Sequence, residues 1–155
     1  MRKIGFPLGI AGLIVLDQWV KAWTVANVPL HGQQPFIPKL VNLYHLRNYG
    51  AAYSILQNQQ WFFTIVTVIV MVAATWYFIK HIQDSLWLLA SLSLVIAGGL
   101  GNFIDRMRLG YVVDMFQLDF IDFPVFNVAD MCLTLGVAVL FICIMKEEKN
   151  DGSNS

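Results

Sequence analysis

With 155 residues, 57% of them hydrophobic and 13% charged, the chain has a mean hydropathy of +0.62. A soluble domain of this size cannot bury that much apolar surface, so the bilayer is expected to be part of its solvent. Acidic and basic residues balance at ten each, a formal net charge of zero that gives no electrostatic footprint for nucleic acid.

The first apolar run, Ile4 to Ala26, follows Arg2 and Lys3 as the core of a signal peptide would. It is too long for that role, has no small-x-small cleavage site after it and contains Asp17, Gln18 and Lys21, so a retained helix is expected. A polar stretch from Asn27 to Gln60 holds Pro29, Pro35 and Pro38, which break any helix, while Leu40 to Leu46 has the residues of a short strand or two at the membrane surface. Trp61 to Ile79 reads as a second span. Lys80, His81, Gln83 and Asp84 turn the chain into a third, Leu86 to about Ile104. A mixed segment, Arg106 to Pro124, leads to a fourth span, Val128 to Met145, and residues 147–155 have the composition of a disordered tail.

The expected fold is therefore an all-α membrane protein: one domain over residues 1–155, with four transmembrane helices and a small β-containing loop region outside the membrane. There is no internal repeat. An even number of spans puts both termini on one side, and with that side cytoplasmic the Lys/Arg count, leaving out Lys21 within the first span, is five inside to four outside, a bias too small to set orientation alone. Cys132 and Cys143 share the fourth span at about 16 Å by helical rise, too far for a disulfide. None of His31, His45 and His81 lies at ligand spacing from them, so no metal site is expected.

Ionisable residues inside a span cost at least ~2.5 kcal/mol each near the bilayer centre, so their positions carry information. Asp17, Lys21, Asn48, Asn102, Asp105, Arg106, Asp114, Asn127 and Asp130 come from separate segments yet all map to one membrane face. Several have bland explanations. Asp17 and Lys21, four apart with the acid first, can form a self-neutralising pair with Lys21 snorkelling to the interface. Asn127 can cap the fourth helix with Asp130 in its first turn. Asp105, at a helix C-terminus where the dipole disfavours a carboxylate, needs a partner, for which Arg106, Asn102 or the Asn48 loop is available. Asp114, between Val112–Val113 and Met115–Phe116, is expected to face a hydrophobic wall that raises its pKa, and a second carboxylate nearby would raise one of the two further. Asp119 and Asp122 alternate with Phe120, Ile121 and Phe123, as solvated acids of an interfacial segment would. Gly98, Gly99 and Gly101 permit either close helix packing or room for a substrate.

Taken in order, five blocks resemble the lipoprotein signal peptidases (type II signal peptidases) of bacteria. They are Asp17-Gln18-x-x-Lys21, Asn48-Tyr49-Gly50-Ala51-Ala52-Tyr53-Ser54, Gly101-Asn102-x-x-Asp105-Arg106, Val112-Val113-Asp114 and Phe126-Asn127-x-Ala129-Asp130. Tyr53 stands where many members have Phe. The resemblance implies an intramembrane aspartyl endopeptidase of the inner membrane, both termini cytoplasmic, that cuts diacylglyceryl-modified prolipoproteins before the lipidated cysteine. It implies Asp114 and Asp130 as the catalytic pair, with Asn48, Gly50, Asn102, Asp105, Arg106, Asn127, Asp17 and Lys21 supporting them or touching substrate. Lipidated prolipoproteins and membrane lipids are the implied partners, and no cofactor is called for. The competing reading is a small proton-coupled transporter or channel subunit, which predicts acids spread through membrane depth; a non-catalytic lipid-binding protein is the third.

Overall fold

The computed structural model of the protein describes residues 2–50 and 59–152; Ala51 to Ser54 of the second sequence block and residues 153–155 of the tail lie outside the described residues. Four long helices, α1 (Arg2–Asn27), α2 (Gln60–Lys80), α3 (Leu86–Leu109) and α4 (Val128–Gly152), are joined at one end by three strands, β1 (Gln33–Ile37), β2 (Val41–Asn48) and β3 (Val112–Leu118). All four helices are long and apolar enough to cross a membrane.

α3 is the axis of the bundle and packs against the other three helices. It is mostly buried inside the protein, whereas α1 and α2 turn apolar side chains such as Trp19, Ile69 and Val72 outward, where lipid replaces water. Leu88, Leu89, Leu92 and Ile96 of α3 form the interhelical core with Met71 and Phe78 of α2. Close approach of α3 to α4 and α1 depends on small residues. A Cβ on Gly101 would stand 2.7 Å from Asp17 Oδ2 and 3.0 Å from Ala129 Cβ, and one on Gly98 would strike the Ala129 carbonyl and Leu133. Of the two roles open to these glycines, packing is the one they fill.

The strands form one antiparallel sheet in the order β1-β2-β3. β1 contains Pro35, tolerated because it is an edge strand. Beneath the sheet, Val28, Leu43, Val113 and Met115 make a second small core. At the opposite end of the bundle Arg2 donates to the carbonyls of Gln83 and Asp84, which ties the N-terminus to the α2–α3 turn.

Three expectations change. α3 continues past Ile104 to Leu109 and stops at Gly110, whose left-handed φ of 76° turns the chain sharply into β3. The segment from Arg106 to Pro124 therefore ends a helix and then supplies a strand. α4 stays helical to Gly152, into the segment whose composition suggests disorder.

Candidate active site

Asp114 is the third residue of β3 and Asp130 the third of α4. What brings them together is an isolated bridge between Phe116 and Phe126, which pins the chain entering α4 alongside β3. Asn127 then sits between the two carboxylates. Its Oδ1 accepts from the Asp130 amide at 2.8 Å, the Asn127 amide donates to Asp130 Oδ2 at 3.1 Å, and its Nδ2 donates to Asp114 Oδ1 at 2.6 Å. The reciprocal bonds are a capping box, so the helix-cap arrangement foreseen from sequence exists, and the same side chain also reaches the second acid.

Each remaining carboxylate oxygen also takes an amide donor. Asn48 Nδ2 donates to Asp114 Oδ2 at 2.9 Å, and its orientation is fixed because its Oδ1 accepts from Gly50 N at 2.9 Å. Asn102 Nδ2 donates to Asp130 Oδ1 at 2.7 Å, and its Oδ1 accepts from both Asn127 Nδ2 and Lys21 Nζ. An ammonium on one side and a carboxylate on the other leave Asn102 only one way to point.

Asp114 is 1% exposed. Of the apolar neighbours foreseen from sequence, strand alternation sends Val113 and Met115 to the small core on the other face and leaves buried Val112 on the face of Asp114. Burial at the β3–α4 junction is the principal cause that pushes the Asp114 carboxyl up to about 7. The Asp130 charge adds to it, and the amide bonds from Asn48 and Asn127 and the Lys21 charge pull the other way.

Behind the pair lies a buried ionic cluster. Lys21 Nζ is 2.9 Å from Asp17 Oδ2, 3.1 Å from Asp105 Oδ2 and 3.0 Å from Asn102 Oδ1, so all three donors are used. Lys21 is 3% exposed and turned inward, so it does not snorkel, and its pair with Asp17 is one part of a larger network. Asp105 finds its ion partner in Lys21 and takes further bonds from Gln18 and the Val113 amide, rather than from Arg106, Asn102 or the Asn48 loop. Gln18 is the member that reading the chain missed. It bonds Asp17, Asp105 and the Gly101 carbonyl, and its sequence signals are its polarity in an apolar helix and its place in the block Asp17-Gln18-x-x-Lys21, neither of which gives it a role. Asp119 and Asp122 are exposed, as expected, and Asp119 also accepts from Asn42.

In front of the pair is a cavity of about 620 Å³, lined by Asn48, Gly50, Asn102, Arg106 and Asp130 among mostly apolar side chains of α4 and the loop before it. The Arg106 guanidinium lies 5.2 Å from the Phe63 ring centre, and its Nε is buried without a partner among the described residues. Asp114 itself is screened from the cavity by the Asn48 amide.

Comparison with known proteins places the chain in a family. The family described as Signal peptidase (SPase) II matches residues 10–146. The chain is 57% identical to the lipoprotein signal peptidase of Streptococcus agalactiae serotype Ia, over 99% of this chain and all of that one. It is 58% identical to that of Streptococcus thermophilus, over 96% and 97%. A solved bacterial membrane enzyme, determined by the in meso method at 2.3 Å resolution, superposes with a TM-score of 0.89 at 37% identity, covering 95% of this chain and 92% of its own. The chain is thus a multi-pass bacterial membrane protein, and it belongs to the signal peptidase II family, the aspartic peptidases that cleave signal peptides from prolipoproteins.

Proposed function

We propose that Asp114 and Asp130 are the catalytic carboxylates of this peptidase. The observation that carries the reading is that two acids from separate elements share one bridging side chain, Asn127, at the back of an apolar cavity. Two carboxylates so close cannot both ionise comfortably, so the pair holds one proton. Asp114 has the environment of the protonated member and Asp130, on the cavity wall, that of the base. A water attacks the scissile carbonyl carbon as Asp130 takes its proton, while Asp114 donates a hydrogen bond to the carbonyl oxygen. Collapse of the tetrahedral intermediate breaks the peptide bond, and Asp130 passes its proton to the leaving nitrogen. For the carbonyl to reach Asp114, the Asn48 amide has to give up its bond to that acid.

On this reading Asn48, Gly50, Asn102 and Asn127 orient the pair, Arg106 faces the substrate, and Asp17, Lys21 and Asp105 support the frame. The substrate is a prolipoprotein bearing its diacylglyceryl group and is cut before the modified cysteine. Both termini are cytoplasmic and the sheet lies on the outer side of the inner membrane. The deciding experiment is cleavage of a synthetic lipidated prolipoprotein by purified Asp114→Asn and Asp130→Asn variants that fold and bind it. Both are expected to be inactive, and near wild-type turnover by either would remove the assignment.

A further inference from the structure

The cluster behind the pair has a symmetry that its individual contacts do not suggest. Asp105 Oδ2 accepts from the backbone amide of Val113, the residue before Asp114, at 3.0 Å. Asp17 Oδ1 accepts from the backbone amide of Ala129, the residue before Asp130, at 2.9 Å. Lys21 lies between the two acids at 2.9 and 3.1 Å, and Gln18 donates to both. Asp17, Lys21 and Asp105 are each no more than 3% exposed, and none lines the cavity.

We infer that Asp17 and Asp105, locked together by Lys21, are positioning residues that set the spacing of Asp114 and Asp130 by holding the backbone amide that precedes each; this rests on the assignment of those two aspartates as the catalytic pair. A side chain swings about its rotamers, but a carboxylate gripping the preceding N–H fixes the strand or helix turn from which the catalytic side chain projects. Holding both grips on one ammonium turns two separate placements into one distance. The arrangement also explains why so many charges are buried together. A self-neutral pair would suffice for solubility of α1 in the bilayer, whereas the third charge is needed only to join β3 to α4. Lys21 acts on both carboxylates of the pair through its charge and Asp17 on Asp130, so the cluster acts through charge as well as through position.

Position and charge separate by mutation. Asp105→Glu keeps the charge but moves the acceptor by a methylene, and Asp17→Glu does the same on the α4 side. In folded protein each is expected to lower kcat on a lipidated prolipoprotein, up to ~10²-fold for a shift near 1 Å, with KM within about twofold and both limbs of the pH–rate profile in place. Asp17→Asn keeps an acceptor oxygen but removes the negative charge that acts on Asp130, so the pH–rate profile should move to lower pH. Backbone ¹⁵N labels give a readout independent of activity: Asp105→Glu should shift the Val113 amide resonance, and Asp17→Glu that of Ala129. Undiminished kcat in both folded Glu variants, beside inactive Asp114→Asn and Asp130→Asn, overturns the positioning role and leaves the catalytic pair standing. An effect confined to KM, an unmoved profile in Asp17→Asn, or failure of all three cluster variants to fold would each overturn it too, the last in favour of a purely structural role. Turnover by Asp114→Asn or Asp130→Asn would instead remove the catalytic assignment on which the inference rests.

Discussion

Asn127 and Asp130 hold each other across the first turn of α4, each side chain accepting the other's backbone amide. The residue assigned to proton transfer is therefore also half of a helix cap, and its mutation has two separable costs. Asp130→Asn keeps an oxygen for the Asn127 amide but presents an NH₂ to Asn102 Nδ2. Asn102 cannot turn to accept it, because its own oxygen serves Lys21 and Asn127. One buried hydrogen bond is lost, about 1–3 kcal/mol. Turnover should fall much further, by ~10²–10⁴-fold or more, because an amide cannot take the proton from water. Thermal unfolding and single-turnover cleavage of the same preparation measure the two effects. A stability loss with intact turnover would make Asp130 a cap and nothing else.

With Asp114 assigned as the proposed acid, its environment sets the expected pH dependence of activity. Its carboxyl, raised to about 7, must keep its proton to polarise the carbonyl, so the alkaline limb of kcat/KM is expected near neutral pH, with the value belonging to the pair. The bond from Asn48 Nδ2 favours the ionised form. Asn48→Ala removes that influence, raises the Asp114 pKa and moves the alkaline limb to higher pH. A limb that stays in place or moves down would show that Asn48 does not act on Asp114 as described.

The same shift has a consequence for stability. Asp114 holds a proton in the folded protein at pH values where the unfolded chain, with a carboxyl pKa near 3.8, has released it. Stability from this group is full below about pH 4 and is lost as pH rises through about 7. Asp114→Asn has no such proton to hold, so its thermal midpoint relative to wild type should climb between pH 4 and pH 8. A constant difference across that range would mean that Asp114 ionises normally in the fold.

What the sequence revealed and what it concealed divide along physical lines. The four spans were legible because apolar length is a local property, and the convergence of polar residues at one end followed from span order. The helix cap was legible because Asn127 and Asp130 are three residues apart. β3 was not, because its strand character depends on pairing with β2 across more than sixty residues, as in the partners Leu46 and Asp114. The fate of Lys21 was hidden for the same reason. Alone on α1 its cheapest course is to snorkel, and only the arrival of Asp105 and Asn102 from α3 makes burial the lower state. Gln18 shows that a polar residue can be essential to a network without any spacing that marks it.

The proposed orientation, with the sheet outside and both termini inside, can be tested at the end of the bundle that carries the sheet. Gln33, exposed on β1, lies with the sheet at the catalytic end, opposite the Arg2–Gln83 contact. A Gln33→Cys variant, with Cys132 and Cys143 replaced, should react with a membrane-impermeant thiol reagent in intact cells. Reaction only after the membrane is opened would place the sheet and the active site in the cytoplasm.

The final prediction concerns how the lipid on the substrate is read. The main cavity shares Leu133 and Thr134 with a shallow, open hollow on the surface of α4 that runs on past Val137, Ala138 and Phe141. The glycines of α3 do not open this path, since their space is filled by α4, Asp17 and Met71 of α2. On the proposed reading, the acyl chains of the substrate would enter it from the bilayer and not from water, so the transfer value of ~0.8 kcal/mol per CH₂ does not apply. What the chains gain is packing, and what they supply to catalysis is orientation of the scissile bond over the acids. Lipidated substrate should therefore exceed its unlipidated form in kcat/KM by at least about tenfold. Ala138→Trp, on the exposed face of α4, should reduce that advantage without altering folding, because the added ring occupies the hollow while the catalytic pair is untouched. Equal cleavage of the two substrate forms by wild type would show that the enzyme reads only the peptide, and an Ala138→Trp variant that keeps the full advantage would place the acyl chains elsewhere.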